Sequence, residues 1–223
     1  MGSDEAQGCI GGAVVKIVEV EQRSAEWFAA RLGRATGSRA KDILASIKTG
    51  EAAARRDYRL ELVVERLTQR QDEDGYQSKE MQRGVELEPV ARAAYESLTG
   101  SVVRSTGFLQ HDELMAGCSV DGDVDGFCGL VEIKCPKMAT HFGYLQGDSV
   151  PSGHVPQMLH NLWITGATWC DFVSFDDRFP EHLQLFVMRF TPTVDQVNSY
   201  AEKVIEFLRE VDRDEATARG MKR

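Results

Sequence analysis

Apolar positions along the chain follow two regimes. Up to about residue 100 they recur at helical spacing, and beyond it they fall in short alternating runs broken by Gly and Asp. At the start, Val14 to Val20 is an apolar run that fits a short strand. Ser24 stands where an N-cap is expected, ahead of a helix carrying Trp27, Phe28 and Leu32. Thr36-Gly37-Ser38 breaks that helix. Ser38 is placed to cap the next one, which puts Ile43, Leu44 and Ile47 on one face until Gly50 stops it. Residues 51–70 read as a long Arg-rich amphipathic helix with Leu60, Val63, Val64 and Leu67 inward. After the polar loop QDEDGYQ, a helix over about 78–98 aligns Met81, Val85, Leu87, Ala91, Ala94, Tyr95 and Leu98.

Beyond Gly100 the segments SVVRS, GFLQH, MAGCSV and GLVEIKC have strand character. Helices are expected over 138–146 and 154–165, and TWCDFVSFD and LQLFVMRF add two more strands. A helix over 193–211 aligns Val197, Tyr200, Val204, Phe207 and Leu208. This order predicts an α/β fold with a central mixed β-sheet flanked by helices. Residues 1–13 are small, polar and aperiodic, and read as a disordered tail or an expression remnant, leaving 14–223 as a single domain.

Composition narrows the class. The 223 residues are 42% hydrophobic and 27% charged, which excludes collagen-like, low-complexity and disordered chains. No apolar run approaches the ~20 residues of a bilayer span. The N-terminus has neither a basic n-region nor an apolar h-region. A cytoplasmic protein with no membrane partner is expected. Five cysteines without a C-x-x-C pair point to unlinked thiols rather than a disulfide framework or a zinc site. The net charge of −9 is spread unevenly: residues 22–70 hold 11 Lys/Arg against six Asp/Glu, whereas residues 105–223 hold 10 against 18. A basic section on an acidic body leaves nucleic acid open as a partner.

The chemistry concentrates in Cys118-Ser119-Val120-Asp121-Gly122 and Leu130-Val131-Glu132-Ile133-Lys134-Cys135. In a strand Leu130, Glu132 and Lys134 share one face, so a carboxylate and an ammonium stand together on an otherwise apolar element. Asp121 precedes a Gly turn and can fold back beside Glu132. Two carboxylates and the Ile133 carbonyl would then offer three hard oxygens, a set suited to Mg²⁺ or Mn²⁺, with Lys134 beside them. The D/E-x-K pattern alone is unspecific, since about one match is expected by chance and the chain has one. On the residues themselves, a metal centre and a buried Glu132–Lys134 ion pair both remain open.

Five motifs in order extend the pattern: Trp27-x-x-x-Arg31-Leu32-Gly33 with Thr36-Gly37-Ser38; Gly84-x-x-x-Glu88; Cys118-Ser119-x-Asp121-Gly122; Glu132-x-Lys134-Cys135-Pro136; and Gln157 with Trp163. On these the chain, over about residues 22–211, resembles the lambda-exonuclease type of phage alkaline exonuclease. These are YqaJ-like viral recombinases of the PD-(D/E)xK nuclease superfamily.

The resemblance implies a restriction-endonuclease-like core. It also implies a 5′→3′ exonuclease that degrades one strand of duplex DNA from its end to mononucleotides, leaving a 3′ overhang for single-strand-annealing recombination. It assigns Asp121, Glu132 and the Ile133 carbonyl to a metal, and Lys134 to catalysis. Glu88 would hold a second metal or its waters, and Gln157 would stand near the lysine and the attacking water. Two Mg²⁺ ions per active site are implied, with Mn²⁺ as a substitute. Arg31, Ser38 and Ser119 match a pocket for the 5′-phosphate, and Met81 matches an apolar wedge at the terminal base pair. A homotrimeric ring around DNA, a single-strand annealing partner and a phage or prophage origin in a bacterial host cell are also implied.

Val120 replaces the proline of the PD motif, which supplies turn geometry rather than a ligand. Residues 45–57 match poorly, and the run Arg55, Arg56, Arg59 reads either as a solvated face or as the lining of a DNA entrance. His160 has no counterpart and reads as a helix-surface or core histidine. Two other functions stay open: a structure-specific PD-(D/E)xK endonuclease indifferent to Arg31, and a non-catalytic DNA-end-binding adaptor.

Overall fold

The computed structural model describes residues 15–71 and 79–221, so the expected tail at 1–13 and most of the loop at 71–77 lie outside it. In chain order the elements are β1 (Val15–Val18), α1 (Ala25–Arg31), β2 (Ala35–Thr36), a 3-10 turn (Gly37–Arg39), α2 (Ala40–Ile43), α3 (Ala53–Thr68) and α4 (Lys79–Thr99). Then come β3 (Val103–Arg104), β4 (Phe108–His111), β5 (Ala116–Cys118), β6 (Gly122–Val124), β7 (Gly129–Lys134), α5 (Met138–Leu145) and α6 (Val155–Thr165). β8 (Trp169–Phe175), a second 3-10 turn (Glu181–Leu183), β9 (Leu185–Phe190) and α7 (Val194–Gly220) complete the chain.

The expected α/β class holds, with the strands divided between two mixed sheets. Five strands in the order β3-β6-β7-β8-β9 make the larger one, and β1-β4-β5-β2 make the smaller. In the larger sheet β7 and β8 run parallel, joined by the crossover through α5 and α6, and the other pairs are antiparallel. Its two faces are covered by different helices. On one, Ala91 and Tyr95 of α4 pack with Val131, Ile133 and Val173. On the other, Met158 and Leu162 of α6 and Tyr200, Val204 and Phe207 of α7 pack with Leu130, Cys170 and Phe172.

α7 starts at a capping box between Thr193 and Gln196 and runs nine residues past the expected end at 211. Its buried stripe of Tyr200, Val204, Phe207, Leu208 and Val211 keeps helical spacing. α2 is shorter than expected, ending at Ile43, and Ile47 is exposed.

α3 lies turned from its expected orientation. Tyr58, Leu62 and Val63 face inward, while Leu60 and Val64 are 46% and 54% exposed. The cause is polar. Glu65 Oε2 accepts from the Gly33 amide at 2.7 Å, and Arg66 Nε donates to the Gly33 carbonyl at 2.9 Å. Two charged side chains thus turn inward to satisfy a tight turn, which hydrophobic periodicity cannot register. Cys118, Cys135 and Cys170 are free thiols as expected, whereas Cys128 is disulfide-bonded. No helix of the described residues is long and apolar enough to cross a membrane.

Candidate active site

β7 is hydrogen-bonded on both sides, and its side chains leave the sheet alternately. The alternation sends Glu132 toward α6, where it has no exposed surface. A carboxylate in such a place must be hydrogen-bonded or paired. Its Oε1 meets the Lys134 ammonium, and its Oε2 accepts from Asn161 Nδ2 of α6 at 3.2 Å. Burial pushes the Glu132 carboxyl up to about 7. Lys134, 30% exposed, reaches the end of the strand. Burial opposes its charge, but the Glu132 and Asp121 carboxylates outweigh this and hold the ammonium above its ordinary range.

Asp121 lies in the bend between β5 and β6. The β6–β7 register pairs Gly122 with Val131, so one further step sets Asp121 opposite Glu132. Its Oδ2 accepts from the Ile133 amide at 2.8 Å, which seats the carboxylate against β7. Glu88 of α4 stands in the same cleft, with Arg23 at 3.8 Å and Arg92 at 3.7 Å. Burial, and then the neighbouring Asp121 charge, raise its carboxyl above the ordinary value. The cleft has a volume of about 850 Å³ and is lined by Glu88, Asp121, Ile133 and Lys134, with Met81, Tyr144 and His154 among its other walls.

The donors suit a hard divalent cation. Asp121, Glu132 and the Ile133 carbonyl sit on neighbouring segments joined by the Ile133 amide's bond to the Asp121 carboxylate, and the carboxylates' repulsion is relieved by positive charge, a part that Lys134 now takes. Among the described residues no three His, Cys, Asp or Glu side chains form a group that could hold a metal ion. Glu88 therefore does not complete a three-carboxylate cluster, and the fitting set is two carboxylates and a carbonyl.

The residues expected to grip a terminal phosphate also come together, through a partner that sequence reasoning missed. Arg31 closes α1, with Nη2 3.2 Å from Ser38 Oγ and 3.5 Å from Thr36 Oγ1. Its guanidinium carbon lies 4.1 Å over the Trp27 ring, and Trp27 Nε1 donates to Ser119 Oγ at 2.8 Å. Trp27 thus joins Ser119 to the Arg31–Ser38 pair. Burial lowers the Arg31 pKa, a sign of a guanidinium held partly out of water. Ser38 is not the helix cap expected of it. It lies inside the 3-10 turn, and its hydroxyl serves Arg31 instead.

Other candidates divide. Met81 is 59% exposed at the cleft. Gln157 is half-buried on α6, one turn ahead of Asn161, and is not among the residues lining the cleft. Arg55 and Arg59 of α3 pair with Glu51 just ahead of that helix and with Glu210 and Asp214 of α7. His160 is a core histidine: its Nε2 donates to the Gly117 carbonyl at 3.0 Å, and its Nδ1 accepts from the Tyr200 hydroxyl at 2.8 Å.

Asn161, Tyr144 and His154 were not foreseen. Asn161 was within reach of reasoning, since it falls one helical turn from Gln157. Tyr144 and His154 meet hydroxyl to Nε2 at 3.0 Å, and no motif marks either.

The chain is similar to known proteins over most of its length. The model of the YqaJ-like viral recombinase domain matches residues 26–168. An alkaline exonuclease, LHK-Exo, from Laribacter hongkongensis is 38% identical, with a TM-score of 0.79, covering 88% of this chain and 96% of its own. The structure of LHK-Exo in complex with dAMP gives 38% identity and a TM-score of 0.80, covering 87% and 96%. A phage-related exonuclease from Haemophilus somnus 129PT shares the fold at 14% identity, with a TM-score of 0.67 and coverage of 83% and 96%. No curated protein matches the chain.

Proposed function

The chain belongs to the YqaJ-like viral recombinase domain family, and from that premise we propose that it is a metal-dependent 5′→3′ exonuclease acting on duplex DNA ends. It would release mononucleotides and leave a 3′ overhang for single-strand-annealing recombination. The observation that carries this reading is the seating of Asp121 against Ile133, opposite Glu132 and beside Lys134, at one cleft. The dAMP bound by the Laribacter relative belongs to the product class this reading requires.

Asp121, Glu132 and the Ile133 carbonyl would hold Mg²⁺, or Mn²⁺ in its place, and Glu88 would hold a second ion directly or through water. Bound there, the ions supply water activation and neutralise phosphate charge. The protein's own groups do the rest. Lys134 keeps a proton at Nζ because Glu132 and Asp121 face it. The more their charge is engaged elsewhere, the more readily Nζ would release that proton to solvent and, as the neutral amine, orient the attacking water and accept its proton. Gln157 would steady that water on the family resemblance alone, since it does not line the cleft. Arg31, Ser38 and Ser119 bind the 5′-phosphate, and Trp27 fixes the spacing of the first and last of them. Ser119 is two residues from Asp121, so one short segment couples end binding to hydrolysis. Met81 enters the terminal base pair as a wedge.

The same proposal includes a homotrimeric ring around DNA, a single-strand annealing protein as partner, and a phage- or prophage-encoded protein in the bacterial cytoplasm. The test is digestion of linear duplex labelled on one strand, with 5′-phosphate or 5′-hydroxyl ends, in Mg²⁺ or EDTA, beside Lys134→Ala. Mononucleotide release from 5′-phosphate ends that needs Mg²⁺ and Lys134 is expected. Internal cuts indifferent to the end group would make the protein an endonuclease. End binding without hydrolysis would make it an adaptor and Glu132–Lys134 a structural pair.

A further inference from the structure

We propose that Arg92 is a positioning residue for the carboxylates of the cleft: a single guanidinium that fixes Asp121 relative to Glu88, so that a divalent cation meets oxygen donors already in place. The inference rests on the metal-dependent reading above. Arg92 follows Glu88 by one turn of α4, and its Nη2 lies 3.7 Å from Glu88 Oε1. The same nitrogen donates to the Asp121 carbonyl at 2.7 Å, across to the bend between β5 and β6. Nη1 donates to Ser105 Oγ, between β3 and β4, which stops the fork from swinging. One side chain, 21% exposed, therefore ties the helix acid to the backbone of the strand acid.

Two features separate this from an ordinary helix ion pair. First, Asp121 is gripped from both ends, its carboxylate by the Ile133 amide and its carbonyl by Arg92, which leaves its bend little freedom. Second, Arg92 Nε is buried without a partner. A buried, unpaired N–H costs free energy, and here it accompanies the commitment of Nη2 to the site and of Nη1 to Ser105. Lysine could supply the charge but not a planar fork reaching the Asp121 carbonyl and Ser105 together.

The experiment is Mn²⁺ binding to DNA-free protein by titration calorimetry, comparing wild type, Arg92→Lys and Arg92→Met, with unfolding curves alongside. Arg92→Lys is expected to stay folded and to bind Mn²⁺ about tenfold or more weakly, the scale on which groups orienting metal ligands act. Its hydrolysis should fall most at low Mg²⁺ and recover substantially at saturation. An arginine that only braces the fold would lower the melting temperature and leave the isotherm unchanged, and that result overturns the proposal. Should both Arg92 variants fail to fold, Ser105→Ala decides: it frees the fork without removing charge, and an unaltered isotherm again overturns the positioning role. A wild-type protein that binds no Mn²⁺ removes the metal-dependent reading together with this one. Wild-type binding matched by Arg92→Lys removes only this one.

Discussion

Asn161 Nδ2 donates to Glu132 Oε2 at 3.2 Å, and Asn161 is itself almost wholly buried. The buried carboxylate thus depends on one helix residue and on Lys134 for its satisfaction. Removing the amide in Asn161→Ala loses a hydrogen bond to a charged group, worth about 1.5–3 kcal/mol. Hydrolysis should fall about 10–100-fold, as for groups that orient a metal ligand. Asn161→Asp should be worse, because it sets a second carboxylate against Glu132. Single-turnover rates at saturating Mg²⁺, with urea unfolding of each variant, check the order. Wild-type rates in Asn161→Asp would remove this residue from the site.

Trp27 links Ser119 to Arg31 through one hydrogen bond and one stacked face. Trp27→Phe keeps an aromatic surface under the guanidinium and deletes the indole N–H. Losing one positioned hydrogen bond of about 1 kcal/mol should weaken the preference for 5′-phosphate over 5′-hydroxyl ends about fivefold. The stability change should be small. Initial rates on the two kinds of end measure this. An unchanged ratio would mean that Ser119 takes no part in holding the phosphate.

Much of this site was legible before any coordinates, and the reason is local. Strand alternation is a property of consecutive residues, so the shared face of Glu132 and Lys134 follows from the run Leu130 to Lys134. The neighbouring Gly turn gives the return of Asp121 in the same way. The groups that could not be read are those whose partners lie far along the chain. Arg92 meets the Asp121 carbonyl 29 residues away, and Trp27 meets Ser119 92 residues away. The orientation of α3 failed for a related reason. Glu65 and Arg66 turn inward to bond the Gly33 peptide, more than 30 residues distant, and no periodicity records a polar debt elsewhere in the fold. Ser38 was misread because a hydroxyl beside a helix start has two uses, capping and holding a neighbour's guanidinium, and only the second is made.

Two glycines should respond oppositely to a methyl group. At Gly37 an added Cβ would fall 2.5 Å from Asn161 Oδ1, on the same amide whose nitrogen bonds Glu132. Gly37→Ala should therefore lower both stability and hydrolysis. At Gly143, within α5, an added Cβ meets nothing within 4 Å. There Gly143→Ala should raise stability by about 0.5–1 kcal/mol through helix propensity alone, with hydrolysis unchanged. Thermal melts and nuclease rates of the pair make the comparison. A Gly37→Ala protein as stable and active as wild type would show that the Asn161 side chain has room to yield.

His160 should make the fold sensitive to acid well above the carboxylate range. Both ring nitrogens are committed, one to the Tyr200 hydroxyl and one to the Gly117 carbonyl. Burial lowers the ring to about 4 from its ordinary 6.5, and the nearby Arg31 and His111 act in the same direction. The sign follows from which state binds the proton. Between pH 6.5 and 4 the unfolded chain protonates this histidine and the folded chain does not, so its contribution is whole above 6.5 and lost on the way down to 4. The loss amounts to about 3 kcal/mol for this ring. His154, lowered to about 4 by burial and then by Lys134 and Lys41, adds to it in the same window. His160→Gln should be less stable than wild type at pH 7, because the ring's packing is lost. Its unfolding free energy should then fall less steeply than the wild-type value between pH 6.5 and 4. Urea unfolding at pH 7, 6, 5 and 4.5 gives the two slopes. Parallel slopes would mean that the folded protein protonates His160 as readily as the unfolded chain does, against the two-sided burial that the Tyr200 and Gly117 contacts impose.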